Sequence, residues 1–138
     1  MSEPPDPLKL VRQWIQKAEN DLRNAEHTLK LKRNCPFDTV CFHAQQCAEK
    51  YLKALLVSRS IVFRPVHDLG VLVQLIPAEI ELGLEIEPLY LLTQYAVETR
   101  YPEEEEEPIT REEAKQAVAI ARKVRAAARA KLPKGVLK

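Results

Sequence analysis

Four side chains in the stretch FHAQQCAEKYLKALL, namely Phe42, Gln46, Glu49 and Lys53, step by four, three and four residues. On a helix that spacing lines them up along one flank. The core face of the same helix is defined by Ala44, Ala48, Tyr51, Leu52 and Leu55. The flank is therefore a second, mixed seam. Glu49 and Lys53 form an i,i+4 pair in the favourable order, worth about 0.2–0.5 kcal/mol on a solvated surface. An aromatic in register with amide and charged neighbours fits a protein interface better than bare surface. Two further groups could do chemistry. His67-Asp68, in VHDLGVL, has the look of a metal phosphohydrolase pair, but His27 and His43 are the only other histidines. A helix cap at Asp68, with His67 packed near it, is the competing reading. Arg100-Tyr101, in VETRYPEEEEEP, places a guanidinium at a helix end, where it can complement the dipole or clamp a phosphate bidentately.

The elements that must carry these residues are helical. Glycine occurs only 3 times in 138 residues, and long segments are built from Ala, Leu, Glu, Lys and Arg. A first helix runs from about Leu8 to Lys30, with Val11, Trp14, Ala18, Leu22, Ala25 and Leu29 as its seam. Asp38 is placed to cap the second helix, which extends to about Arg59. Pro65 breaks the chain. A short helix from Leu69 to Ile76 follows, capped by Asp68. Residues 78–87 alternate like a strand, yet no second strand is in sight, so they read as a loop leading to Pro88. Helix four turns Leu89, Leu92, Tyr95 and Ala96 inward and runs to about Arg100. Thr110 and Glu113 make a capping box for the last helix, with Ile109 and Ala114 as its staple. The expected fold is all-α: an up-and-down antiparallel bundle of four to five helices in one domain, 1–138, with a core of about 8–132.

Composition narrows the function. Hydrophobic residues make up 46% and charged residues 30%, as in a globular protein. No apolar run is long enough to span a bilayer, and the N-terminus lacks a signal-peptide pattern, so a cytoplasmic location without membrane contact is expected. Residues 115–138 carry 8 Lys and Arg and no acid; set against the net +1, this leaves −7 on residues 1–114. Cations late in a C-terminal helix suit its dipole, the reading preferred to nucleic-acid binding. Cys35, Cys41 and Cys47 read as reduced, buried thiols, because on a helix only His43 and Cys47 share a face and structural zinc needs four ligands. No metal or cofactor is expected. Gly-rich phosphate loops, H-E-x-x-H and G-x-S-x-G are absent from the sequence.

Together these features resemble the HEPN family (higher eukaryotes and prokaryotes nucleotide-binding), over about Trp14 to Leu132. FHAQQCAEKYLKALL is similar to the family's second helix. HDL at His67–Leu69, RYP at Arg100–Pro102 and ITREEAKQAVAIARKV follow in the family's order. The resemblance implies a helical bundle that forms a homodimer, binds nucleotide or RNA, and works with a small nucleotidyltransferase in a toxin–antitoxin-like pair. It assigns the nucleotide- or partner-binding surface to Phe42, Gln46, Glu49, Lys53, His67, Asp68, Arg100 and Tyr101. It also places the Phe42–Lys53 stripe in the dimer or partner surface, near the cleft that Arg100 lines. Ribonucleases of the family carry Arg, four to six residues, then His. Here Arg100 is followed by YPEEEEEP, with no histidine. The expectation is thus a non-catalytic binding module. The alternative is a metal-independent ribonuclease toxin pairing Arg100 with His67 or His43.

Overall fold

A computed structural model describes residues 6–96 and 107–137. It contains five α-helices, α1 (Pro7–Leu29), α2 (Phe37–Ser58), α3 (Leu69–Gln74), α4 (Ile86–Thr93) and α5 (Arg111–Lys131), followed by a 3₁₀ turn at Lys134–Leu137. No strand occurs among the described residues. The all-α bundle read from the sequence is the fold observed. Among the described residues, no helix is long and apolar enough to cross a membrane.

Helices α1 and α5 each start for a local reason. Asp6 accepts a hydrogen bond from the Leu8 amide at 3.0 Å, and Pro7 occupies the first turn of α1, where its missing N–H costs nothing. Thr110 Oγ1 accepts from the Glu113 amide at 3.1 Å, as the capping-box pattern requires. The Glu113 carboxylate, for its part, takes the Tyr95 hydroxyl and so ties α5 to the end of α4. Arg111, the first residue of α5, donates to the Leu29 and Leu31 carbonyls at 2.7 and 2.6 Å and lies over the Phe37 ring. It thereby closes the C-terminus of α1.

Two expected boundaries are corrected. Asp38 is not the cap of α2, since the helix starts at Phe37 with Pro36 before it and no side-chain cap. The Asp38 carboxylate accepts from the Thr39 amide at 2.9 Å and faces the positive end of the helix dipole from within the first turn. Helix α4 ends at Thr93, well short of Arg100. Its chain tightens there into Tyr95 N–H to Leu92 and Ala96 N–H to Thr93 bonds, which turn the Tyr95 hydroxyl toward α5. Residues 78–85 form no regular element, as the loop reading expects.

The central element is α2. It packs on α1 and α5 along its length and on α3 and α4 beyond them. Tyr51 to Leu56 are six consecutive buried residues, so almost every side of this helix is covered. Cys41 and Cys47 are fully buried in this core, and burial pushes the Cys47 thiol up to about 12. Cys35 is half-buried and donates to the Thr28 carbonyl.

Thr110→Ala removes the hydroxyl that caps α5 and should lower stability by about 0.5–2 kcal/mol. A thermal melt that does not move would show that this cap contributes nothing.

Candidate functional site

Because α2 is enclosed, its mixed flank is an interior feature. Glu49 is only 3% exposed and Lys53 only 5%. The reading of these two as part of an outward seam is therefore corrected, since α1 and the loop after α2 close over them. Phe42 and Gln46 are half-buried. Phe42 meets the His43 ring edge-on at 5.2 Å.

A buried charge must be paired and hydrogen-bonded, and Glu49 is. Its Oε1 accepts from Gln45 Nε2 at 3.1 Å and from His67 Nδ1 at 2.9 Å, and its Oε2 accepts from Lys53 Nζ at 2.8 Å. Gln45 Nε2 also donates to the His67 carbonyl at 3.0 Å, and Gln45 Oε1 accepts from Gln46 Nε2 at 2.7 Å. The Lys53 ammonium lies 5.7 Å from the Trp14 ring and 5.8 Å from the Phe63 ring, an aromatic cage for a cation removed from water. Burial works to raise the Glu49 carboxyl. The hydrogen bonds from Lys53, Gln45 and His67, with the Lys53 charge, outweigh it and hold the group below the usual carboxylate range.

The HDL tripeptide has three separate tasks. His67 reaches back to Glu49. Asp68 caps α3 by accepting from the Gly70 and Val71 amides at 2.9 and 3.2 Å. Leu69 is buried, and its amide donates to Thr93 Oγ1 at 3.1 Å, joining α3 to α4. An ionised carboxylate can only accept, so the Nδ1 of His67 carries the hydrogen, and in the neutral ring Nε2 carries the lone pair. The His67 side chain is 61% exposed. The result is an imidazole with one nitrogen anchored on a buried carboxylate and the other side of the ring open. Such an arrangement can accept a proton or, once protonated, donate to a phosphate oxygen.

Of the residues singled out in the sequence, the structure brings Gln46, Glu49, Lys53 and His67 into one network, with Asp68 next to it. Arg100 and Tyr101 lie outside the described residues. Gln45, which braces both Glu49 and the His67 backbone, went unnoticed. Its i,i+4 spacing to Glu49 is the signal that could have found it. Two more networks were missed. Asp21 holds His43 Nδ1 at 2.8 Å and Lys50 Nζ at 2.5 Å on another side of α2. Glu19 accepts from Tyr51, Arg125 and Arg129 at 2.5, 2.9 and 3.1 Å. Burial works to raise Glu19 too, but the bonds from Arg125 and Tyr51 and the two arginine charges leave it lowered. Both networks join residues far apart in the chain, for which spacing gives no signal.

With this geometry in place, comparison with known proteins identifies the fold family. The HEPN domain model matches residues 11–131. This chain belongs to the HEPN family. The crystal structure of TT1696 from Thermus thermophilus superposes with a TM-score of 0.77 at 31% identity, over 88% of this chain and 98% of that one. ST0689, described as an archaeal HEPN homologue, superposes with a TM-score of 0.69 at 26% identity, over 89% of this chain and 98% of that one. A curated relative from Methanocaldococcus jannaschii, "Putative toxin MJ1304", is 42% identical over 57 residues. That match covers 41% of this chain and about a third (36%) of the relative's length.

The lowered carboxyls set the pH dependence of this HEPN fold. A carboxyl held below its unfolded value, about 4.3 for glutamate, contributes stability that is present above that value and lost as pH falls through the folded one. The melting temperature should therefore fall as pH drops from about 5 to about 3. Glu49→Gln leaves Lys53 buried without its counter-charge and should cost about 3–5 kcal/mol at neutral pH. It should also flatten the acid limb. Melts of the two proteins across that range check this, and parallel curves would exclude Glu49 as a source of the acid sensitivity.

Proposed function

We propose that this HEPN chain is a nucleotide- or RNA-associated binding module that acts as a homodimer with a minimal nucleotidyltransferase in a toxin–antitoxin-like pair. The observation that carries the reading is the anchored, largely exposed imidazole of His67. A side chain already fixed by a buried carboxylate loses little rotamer freedom when a ligand arrives. Protonated on Nε2, it is a charge-assisted donor for a phosphate oxygen. Arg100 supplies a second, permanently charged donor in this proposal, with Tyr101 beside it in sequence. Glu49, Lys53 and Gln46 act behind His67, and Asp68 acts through the cap of α3. The toxin description of the M. jannaschii relative supports the pairing with an antitoxin-like partner.

One observation favours a second reading, a metal-independent ribonuclease. Carboxylate-to-histidine bonding also orients a general base, here with Nε2 placed to take the 2′-hydroxyl proton. Arg100 would stabilise charge on the phosphate. Against it stand the carboxylates of Glu103–Glu107, which begin three residues after Arg100 in sequence and oppose an RNA backbone.

Titration of metal-free protein with a nucleoside triphosphate and with single-stranded RNA tests the proposal. The expected result is weak binding that His67→Ala and Arg100→Ala each reduce about tenfold, which is about 1.4 kcal/mol. No RNA cleavage above a no-protein control should occur. Cleavage by wild type, lost in both variants while they remain folded, would replace the binding module with the enzyme.

A further inference from the structure

The enclosure of α2 has one gap. From Thr39 to Leu56 only Thr39, Phe42, His43, Gln46 and Lys50 are not buried. Their steps of three and four residues make one open line along the helix. The line carries an aromatic ring, an imidazole, an amide and an ammonium, and no carboxylate. Beside it stands Asp21 of α1, whose side chain is 10% exposed. Its Oδ1 takes His43 Nδ1 at 2.8 Å and its Oδ2 takes Lys50 Nζ at 2.5 Å. Lys50 alone would satisfy this carboxylate, so the tie between the helices does not need His43. Both donors keep spare capacity. A carboxylate only accepts, so the hydrogen is on His43 Nδ1 and Nε2 is left over, and the ammonium spends one hydrogen of three. The two side chains are 20% and 21% exposed and so retain access to solvent. Lys17, exposed and one turn before Asp21 on the same face of α1, adds a cation.

We propose that His43 and Lys50 form a second phosphate-binding position on this open line, and that its ligand is a single-stranded nucleic acid with a base resting on Phe42. The inference rests on the nucleotide- or RNA-associated reading above and narrows it to a strand. Protonated Nε2 of His43 and Nζ of Lys50 are charge-assisted donors for phosphate oxygens. Asp21 fixes both before a ligand arrives, which lowers the ordering cost of binding. The half-buried Phe42 ring, edge-on to His43 at 5.2 Å, supplies a π-face beside the phosphate position. Aromatic faces next to cations are what sequence-tolerant binding of single strands uses. The arrangement also repeats. His67 is held through Nδ1 on Glu49 as His43 is on Asp21. Glu49 lies six residues after His43, about 9 Å along the helix axis, with Gln46 midway between them. Gln46 donates to Gln45, which donates to Glu49, so the open line is joined to the His67 network. Two anchored imidazoles thus flank the line at Gln46. A mononucleotide needs one such position; a strand, with a phosphate at each residue, uses two.

The chain has only three histidines, so proton magnetic resonance of the full chain follows each imidazole separately, assigned with His27→Gln, His43→Gln and His67→Gln. Inorganic phosphate should shift the His43 signal saturably and leave His27 in place, with chloride at matched ionic strength as the control. A single-stranded oligoribonucleotide with hydroxyl ends should shift His43 and His67 together and bind more tightly than phosphate. Lys50→Gln should remove the His43 response and weaken the oligonucleotide about tenfold, the worth of one charge-assisted hydrogen bond, and Lys50→Arg should restore both. Phe42→Leu, which keeps an apolar side chain but no π-face, should weaken the oligonucleotide and spare phosphate. A His43 signal that ignores phosphate, or answers chloride equally, overturns the site in the wild-type protein itself. So does a response unchanged in Lys50→Gln. An oligonucleotide that binds no more tightly than phosphate, or is indifferent to Phe42→Leu, overturns the strand. Shifts at His67 alone overturn this position and leave the proposed function standing; shifts at His43 alone support this position and count against the proposed role of His67.

Discussion

A carboxylate with almost no access to water organises this bundle. Glu49 sits on the most enclosed helix and receives three hydrogen bonds. Two come from its own helix, one turn to either side, and the third from a loop 18 residues on. Desolvation of a carboxylate costs several kcal/mol and is recovered only when the remaining lone pairs are filled with good geometry. The segment after α2 therefore has little choice of path. It must bring His67 to Oε1, its carbonyl to Gln45 and Phe63 beside Trp14 at the Lys53 ammonium. An extended stretch without regular hydrogen bonds is held by side chains from the helix it leaves.

Sequence periodicity read this molecule well where one side of a helix is buried. Val11, Ala18, Leu22 and Ala25 on α1, and Ala114, Ala117, Val118, Ala121, Val124 and Ala128 on α5, are all buried as their spacing implies. On α2 it found the core face, Ala44, Ala48, Tyr51, Leu52 and Leu55, but misread the flank at Glu49 and Lys53, because on a helix covered on nearly all sides polar residues look like surface until the neighbours are placed. Asp68 and Thr110 were legible as caps because a cap is a local event. The bonds of Glu49 to His67, Asp21 to His43 and Glu19 to Arg125 were not. Each joins residues 18 to 106 positions apart, and no spacing rule reaches that far.

The basic C-terminal segment gains a structural account from the same networks. Arg125 and Arg129 converge on Glu19, and Arg122 on Glu26, so three of its cations bind α5 to α1. Tyr51 of α2 completes the junction by donating to Glu19, and burial together with that carboxylate pushes its hydroxyl up to about 12. The arginine fork suits this arrangement, since one carboxylate oxygen here collects donors from two turns of a helix. Three of the eight cations of this segment are thus engaged by carboxylates of α1.

The molecule departs from ordinary patterning in two places, and the HDL tripeptide joins them. Polar side chains lie inside at Glu49, Gln45 and Lys53, and apolar ones lie outside on α3 and α4. His67 is bonded to the first group, Asp68 sets the start of α3, and Leu69 is tied to Thr93 of α4. Three consecutive residues therefore fix the exposed face to the buried carboxylate with no flexible link between them. Departures from local rules persist when the surrounding structure holds them and function uses them. In this fold the strongest such departure, the enclosed Glu49, is also what holds His67 and the α3–α4 face in fixed relation.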